Sequence, residues 1–269
     1  MRLKTNPYAV FRRSRTPAGL YARKKWLRQE GDPSYRQDFE ETLRQLLTGQ
    51  SSDGSWDQCL LKTTARLFGL HLTVRDEIEP VRKGIEWMQH RVQGTSQRQS
   101  ILPEGKPTRN QLAGLPFIQG SRFLLFTAAT LFLASVFGHG EDPGILNLYE
   151  RFQVRGSKGS GRWCGWSSTS NILRAFVVHP RYARSETVAL AVRNLGKVQK
   201  KSGTWPEPIP FYQTVNALAH LDSKEGDAQL GQAFERLQRT QGHDGTWSRS
   251  QPEWHTFLVI HALKNKGEL

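Results

Sequence analysis

Trp163, Trp205 and Trp247 stand 42 residues apart, and each closes a Gly-x-Trp. Two of them complete a longer phrase, Gln-x3-Gly-x-Trp, at Gln199/Gly203/Trp205 and Gln241/Gly245/Trp247, and a third full copy lies upstream at Gln50/Gly54/Trp56. A period near 40 residues, with one glycine turn and one aromatic per unit, marks a repeat architecture. Trp56 and Trp163 are 107 residues apart, two periods plus a surplus of 23. The surplus is placed in the polar stretch 93–120, rich in Gln, Gly, Pro and Ser.

Each unit reads as a helical hairpin. In the last one, Leu230, Ala233, Phe234 and Leu237 share one helix face, Gly242 and Gly245 break the helix, and a second helix follows Pro252. The unit before it predicts helices over 185–200 and 211–221. Second helices share a Thr-x6-Leu pair (Thr63/Leu70, Thr214/Leu221, Thr256/Leu263), with Ser170/Val177 in the third unit and no clean copy around Thr127 and Thr130. Residues seven apart lie on one helix face. Five hairpins are expected, near 37–72, 79–138, 143–178, 184–221 and 227–265, with a further helix over 20–29. The apolar run Phe123–Gly138 has 16 residues, short of the ~20 needed to span a bilayer, and is expected to be a buried helix.

The chain of 269 residues is read as one repeat domain, 36–269, behind a basic arm, 1–35. Apolar content of 37% excludes global disorder. Two cysteines, Cys59 and Cys164, make no disulfide framework, and no apolar leader opens the sequence, so a cytoplasmic protein is expected. Residues 1–28 carry nine Lys/Arg and no acid, while the other 29 basic and 24 acidic side chains nearly balance. The arm is either solvated or drawn to an anionic membrane; nucleic acid is the less favoured partner.

Gln-x3-Gly-x-Trp at this period resembles the QW repeat of squalene and hopene cyclases, and the hairpin scheme is similar to the β subunits of protein prenyltransferases. The resemblance covers about 36–266 and implies an all-α fold, an α/α toroid of five to six hairpins around a central cavity. It also implies that Gln50, Gln199 and Gln241 bond backbone at helix ends, with Trp56, Trp205 and Trp247 packed over them. The acidic Asp-x-Asp-Asp motif of the cyclases is missing from this chain, and its length suits one toroid at most. Likeness to the prenyltransferases implies a zinc site of Asp57, Cys59 and His255, with Asp57 and His255 in catalytic roles; the structural alternative is a capping Asp and a small buried Cys.

If the second helices line a cavity, their N-termini share one mouth, and such ends favour anions. Lys62, Thr169, Gln213 and His255 are then expected at that mouth, with Arg122, Tyr212 and Trp254 nearby as substrate-binding residues. Phe126, Asn216, Phe257 and Ile260 lie deeper. The bland reading is that helix starts collect polar caps. His220 and His261 read as structural residues, His243 as a turn residue, and Trp163–Trp166 as a packed turn, with a reactive Cys164 as the alternative. The leading functional expectation is an isoprenoid- or lipid-binding toroid, catalytic or not. A non-enzymatic binding module and a polysaccharide lyase-like enzyme are the competing ones.

Overall fold

A computed structural model describes residues 3–94 and 105–269. The fold is all-α: the described residues form eleven α-helices, a few short 3-10 turns and no strand. Five hairpins follow the predicted order. They pair α2 (Pro33–Leu47) with α3 (Leu60–Thr73), α4 (Glu79–Gln93) with α5 (Arg122–Val136), and α6 (Pro143–Lys158) with α7 (Trp166–Phe176). The last two pair α8 (Glu186–Val198) with α9 (Phe211–Leu218), and α10 (Lys224–Thr240) with α11 (Pro252–Asn265). Local chemistry sets the starts: Asp32, Ser185 and Ser223 accept N-cap hydrogen bonds, and Pro33, Pro143 and Pro252 occupy first turns. The extra N-terminal helix, α1 (Pro17–Lys25), begins three residues earlier than expected, because Thr16 caps it ahead of Pro17.

Neighbour relations among the odd-numbered helices are orderly. α1 packs on α3, α3 on α5, α5 on α7, α7 on α9, α9 on α11, and α11 on α1. The even-numbered helices follow the same order, α4 on α6, α6 on α8 and α8 on α10; the odd-numbered, more buried set is called inner and the even-numbered set outer. This explains the apolar run: α5 touches α3, α4, α6 and α7, and Leu124 through Ala134 are all buried. Among the described residues no helix is long and apolar enough to cross a membrane.

The repeat turn is a hydrogen-bonded clasp. The indole Nε1 of Trp56, Trp163, Trp205 and Trp247 donates to a late carbonyl at or just beyond the preceding outer helix: Thr48, Phe152, Leu195 and Leu237, at 2.6–3.2 Å. Gln50 Nε2 donates to the Gly54 and Pro80 carbonyls, and Gln199 Nε2 to those of Gly203 and Gln229, tying each turn to the next outer helix. A Cβ on Gly54 or Gly203, both at positive φ, would come within 2.3 Å of a carbonyl of that next helix. The Trp backbone N–H donates to a threonine on the inner helix: Trp56 to Thr63, Trp163 to Thr169 and Trp247 to Thr256, each at 3.1 Å. The third unit therefore uses Thr169, one residue before the Ser170 that spacing suggested, because its turn is shorter.

At the last clasp the N-terminal segment stands where the next outer helix stands in the other units. Gln241 Nε2 donates to the Thr5 carbonyl, Lys4 N donates back to Gln241 Oε1 at 2.8 Å, and a Cβ on Gly245 would strike the Asn6 carbonyl. The basic segment expected to form an arm is accordingly part of the body. Phe11 and Leu20 are buried, and Arg23 lies inside, paired with Asp38 at 2.7 Å. Of the expected insertion 93–120, residues 95–104 lie outside the described residues. Residues 105–121 fold over the N-terminal ends of the inner helices. Leu112, Leu115 and Phe117 are buried there, Asn171 exchanges two hydrogen bonds with the Ile118 backbone, and Gly114 N donates to Gln251.

Candidate functional site

That cover changes which mouth matters. The residues expected at the N-terminal mouth are mostly consumed by structure. Thr169 locks the Trp163 turn, and it meets Gln213 in the α7–α9 seam, where the hollow is only about 10 Å³. His255 is buried with its ring stacked on Tyr212 at 4.2 Å, and burial lowers its pKa to about 4. Lys62 is largely exposed and ion-pairs with Asp57, whose carboxyl its hydrogen bond and then its positive charge hold below the usual carboxylate range. Cys59 caps α3, its Sγ accepting from Lys62 N at 3.3 Å. Asp57, Cys59, Lys62 and Phe126 share one hollow that does not include His255. Among the described residues no three His, Cys, Asp or Glu side chains are grouped to hold a metal ion. Asp57, Cys59 and His255 thus do not fit the zinc site the resemblance implied. Arg122 opens α5, and Ile260 is buried in the core. Cys164 is exposed in its left-handed turn, with Arg155 donating to its sulfur at 3.2 Å.

The concave site lies further along the same helices. A cavity of about 300 Å³ is lined by the C-terminal parts of α3, α5, α7 and α9, by Tyr21 of α1, and by Trp254, Phe257, Leu258 and His261 of α11. Its walls are aromatic and aliphatic: Phe68, Phe132, Trp254, Phe257, Val136 and Leu258. Trp254 is the one expected substrate-binding residue found here, and the deeper Asn216 and Phe257 line it too. Phe257 stacks on Trp254 at 5.4 Å and on Trp26 at 5.2 Å. The polar members are Tyr21, His71, Arg75, Arg174, Asn216, His220 and His261, of which only Asn216 had been placed near a cavity. Val177, Val178 and His220 also line an adjoining groove of about 530 Å³, whose far walls include Ala183, Val188, Val192 and Leu221.

Arg174 dominates the electrostatics. It is buried, its guanidinium lies over the Phe132 ring at 5.1 Å, and Nη1 is 3.4 Å from His220 Nδ1. No carboxylate among the described residues pairs with it, and its Nε has no partner. Burial lowers its pKa to about 9, which still leaves it charged at neutral pH. A buried cation without a counter-charge is costly, and native interiors seldom keep one without a use. The histidines around it are neutral. Burial first, then repulsion from Arg75 and Arg174, brings His71 down to about 3. Burial, with Arg174 and Arg75, brings His261 to about 4, and burial presses His220 far below its ordinary value. The cavity is therefore a net positive, partly apolar enclosure with unpaired donors, including the buried Trp254 indole N–H.

No protein-family model and no curated protein matches the chain. Among solved structures it is similar to one described as a crystal structure of a protein from Actinoplanes. That similarity has 16% sequence identity and a TM-score of 0.58, and spans 97% of this chain and 90% of the other. It bears on the fold alone.

Proposed function

We propose that this chain is an α/α toroid that holds an anionic amphiphile, of isoprenoid or lipid type, in its central cavity. Support for the toroid comes from the neighbour order of the inner helices, which returns from α11 to α1, and from the N-terminal segment that completes the last clasp. Arg174 carries the ligand reading: it is a buried guanidinium without an acid, set in aromatic walls. Arginine suits this role because its planar fork bonds carboxylate or phosphate with two parallel N–H groups. The apolar walls and the adjoining groove suit the remainder of the ligand. Cations at helix C-terminal ends are also favoured by the helix dipole, which lowers the cost of waiting without a ligand. Tyr21, Arg174 and the histidines would equally suit an enzyme acting on an acidic polysaccharide. A cavity of about 300 Å³ favours a short ligand over a polymer.

Isothermal titration with farnesyl diphosphate and uncharged farnesol tests the reading. The diphosphate is expected to bind at least ~10-fold more tightly, the equivalent of about 1.4 kcal/mol. Arg174→Met is expected to remove that preference. Equal affinity for both ligands, or a preference that survives Arg174→Met, would contradict it.

A further inference from the structure

The hydrogen bonds around His220 and His261 fix where each ring carries its proton. His220 Nδ1 lies 2.7 Å from the Asn216 carbonyl oxygen, which can only accept. Nδ1 therefore bears the hydrogen, and the 3.4 Å approach of Arg174 Nη1 to that atom sets donor against donor and is no hydrogen bond. The proton is then absent from Nε2, which offers a lone pair and has no protein partner among the described residues. His261 is the opposite case. The amide nitrogens of Asn216 and Asn265 stand 3.4 and 3.5 Å from its Nδ1, and both can only donate. The Asn216 amide is oriented by its own bond from Nδ2 to the Leu258 carbonyl at 3.1 Å. Nδ1 of His261 accepts, so its Nε2 bears the hydrogen.

The two rings stack with centroids 5.3 Å apart and planes 19° from parallel, beside the Arg174 guanidinium. Three unlike groups thus meet in one cavity: a cation at Arg174, an acceptor at His220 and a donor at His261. A bare anion satisfies Arg174 and His261 but offers no donor to the His220 lone pair. From this arrangement we infer that the cavity selects anions bearing a hydroxyl group beside the anionic group. That hydroxyl donates to His220 Nε2 while the anion accepts from Arg174 and His261. The inference rests on the anionic-amphiphile reading above and narrows its substrate class to hydroxylated head groups, as in a 3-hydroxyacyl carboxylate. His220 acts here as a specificity-determining residue that touches the ligand.

Decanoate and 3-hydroxydecanoate differ only in that hydroxyl and serve as probes in competition titrations. Wild-type protein is expected to bind the hydroxylated probe ~10-fold or more tightly, and His220→Phe to bind both alike. An absent preference, one that persists in His220→Phe, or failure of both probes to bind, overturns the inference. Arg174→Met separates it from the parent reading. If that variant weakens both probes while wild type shows no hydroxyl preference, the anion site stands and the hydroxyl selection falls. Histidine ¹⁵N spectra of the ligand-free protein give a second, ligand-independent test. They are expected to place the His220 hydrogen on Nδ1 and the His261 hydrogen on Nε2, and a hydrogen on Nε2 of His220 overturns the inference.

Discussion

Arg174 and the histidines beside it set stability and binding against each other. Arg174→Met replaces a buried, uncompensated charge with an apolar side chain of similar length. It is expected to stabilise the fold by about 1 kcal/mol or more, losing a cation–π contact but sparing a larger desolvation cost. Thermal unfolding of the variant checks this, and a lower melting temperature would show that the charge has a partner not recognised above. His71 and His261 stay neutral in the fold down to about 3 and 4, whereas in the unfolded chain they protonate near 6.5. Between those limits the unfolded state binds more protons, so stability is full above pH 6.5 and is lost as the pH falls. Each group contributes a slope of about 1.4 kcal/mol per pH unit. Melting temperatures recorded from pH 7 to pH 5 should fall, and His71→Phe combined with His261→Phe should flatten the decline. These polar residues were visible in the sequence only through the repeat. Counting five residues beyond the clasp threonines Thr63, Thr169 and Thr256, and beyond Thr127, reaches Phe68, Arg174, His261 and Phe132, all on the cavity wall. Placing the third threonine at Ser170 put Arg174 out of that register and hid it.

Helices and turns were the most legible part of the chain, because short-range chemistry sets them. Caps and first-turn prolines fixed helix starts to within a few residues, and the Gln-x3-Gly-x-Trp phrase marked the clasps. What spacing could not show was the slack in each turn. The clasp tryptophan precedes its threonine by different lengths in the first, third and fifth units, while the N–H to Oγ bond is kept at 3.1 Å in all three. Trp247 is fully buried and bonds at both its backbone and its indole, so Trp247→Ala should cost about 3–5 kcal/mol. Gly203→Ala tests the close approach separately. It places a methyl group against the Gln232 carbonyl at a left-handed φ, and should cost at least about 1 kcal/mol. Urea unfolding midpoints measure both, and an unchanged midpoint for either variant would remove the clasp from the stability account.

At the scale of the whole molecule, a local pattern had no means of telling which end of the inner helices is covered. Both ends carry polar residues, and the choice depends on residues 105–121, which bury Leu112, Leu115 and Phe117 over the N-terminal ends. The N-terminus was misjudged for a related reason. Its charge suggested solvent, but Phe11, Leu20 and the Thr5–Gln241 bond tie it to the last repeat. Removing residues 1–15 should therefore lower the melting temperature markedly, whereas Arg12→Gln with Arg13→Gln, at exposed positions, should leave it nearly unchanged. A net charge of +14 means that an anion could also gather loosely on the outside, so the location of binding is the central question. Proton NMR titration of the histidine ring signals, with and without saturating farnesyl diphosphate, answers it most directly. An anion beside Arg174 should raise the titration midpoints of His71 and His261. Saturation that leaves His71 and His261 unshifted would place the ligand outside the cavity and contradict the account.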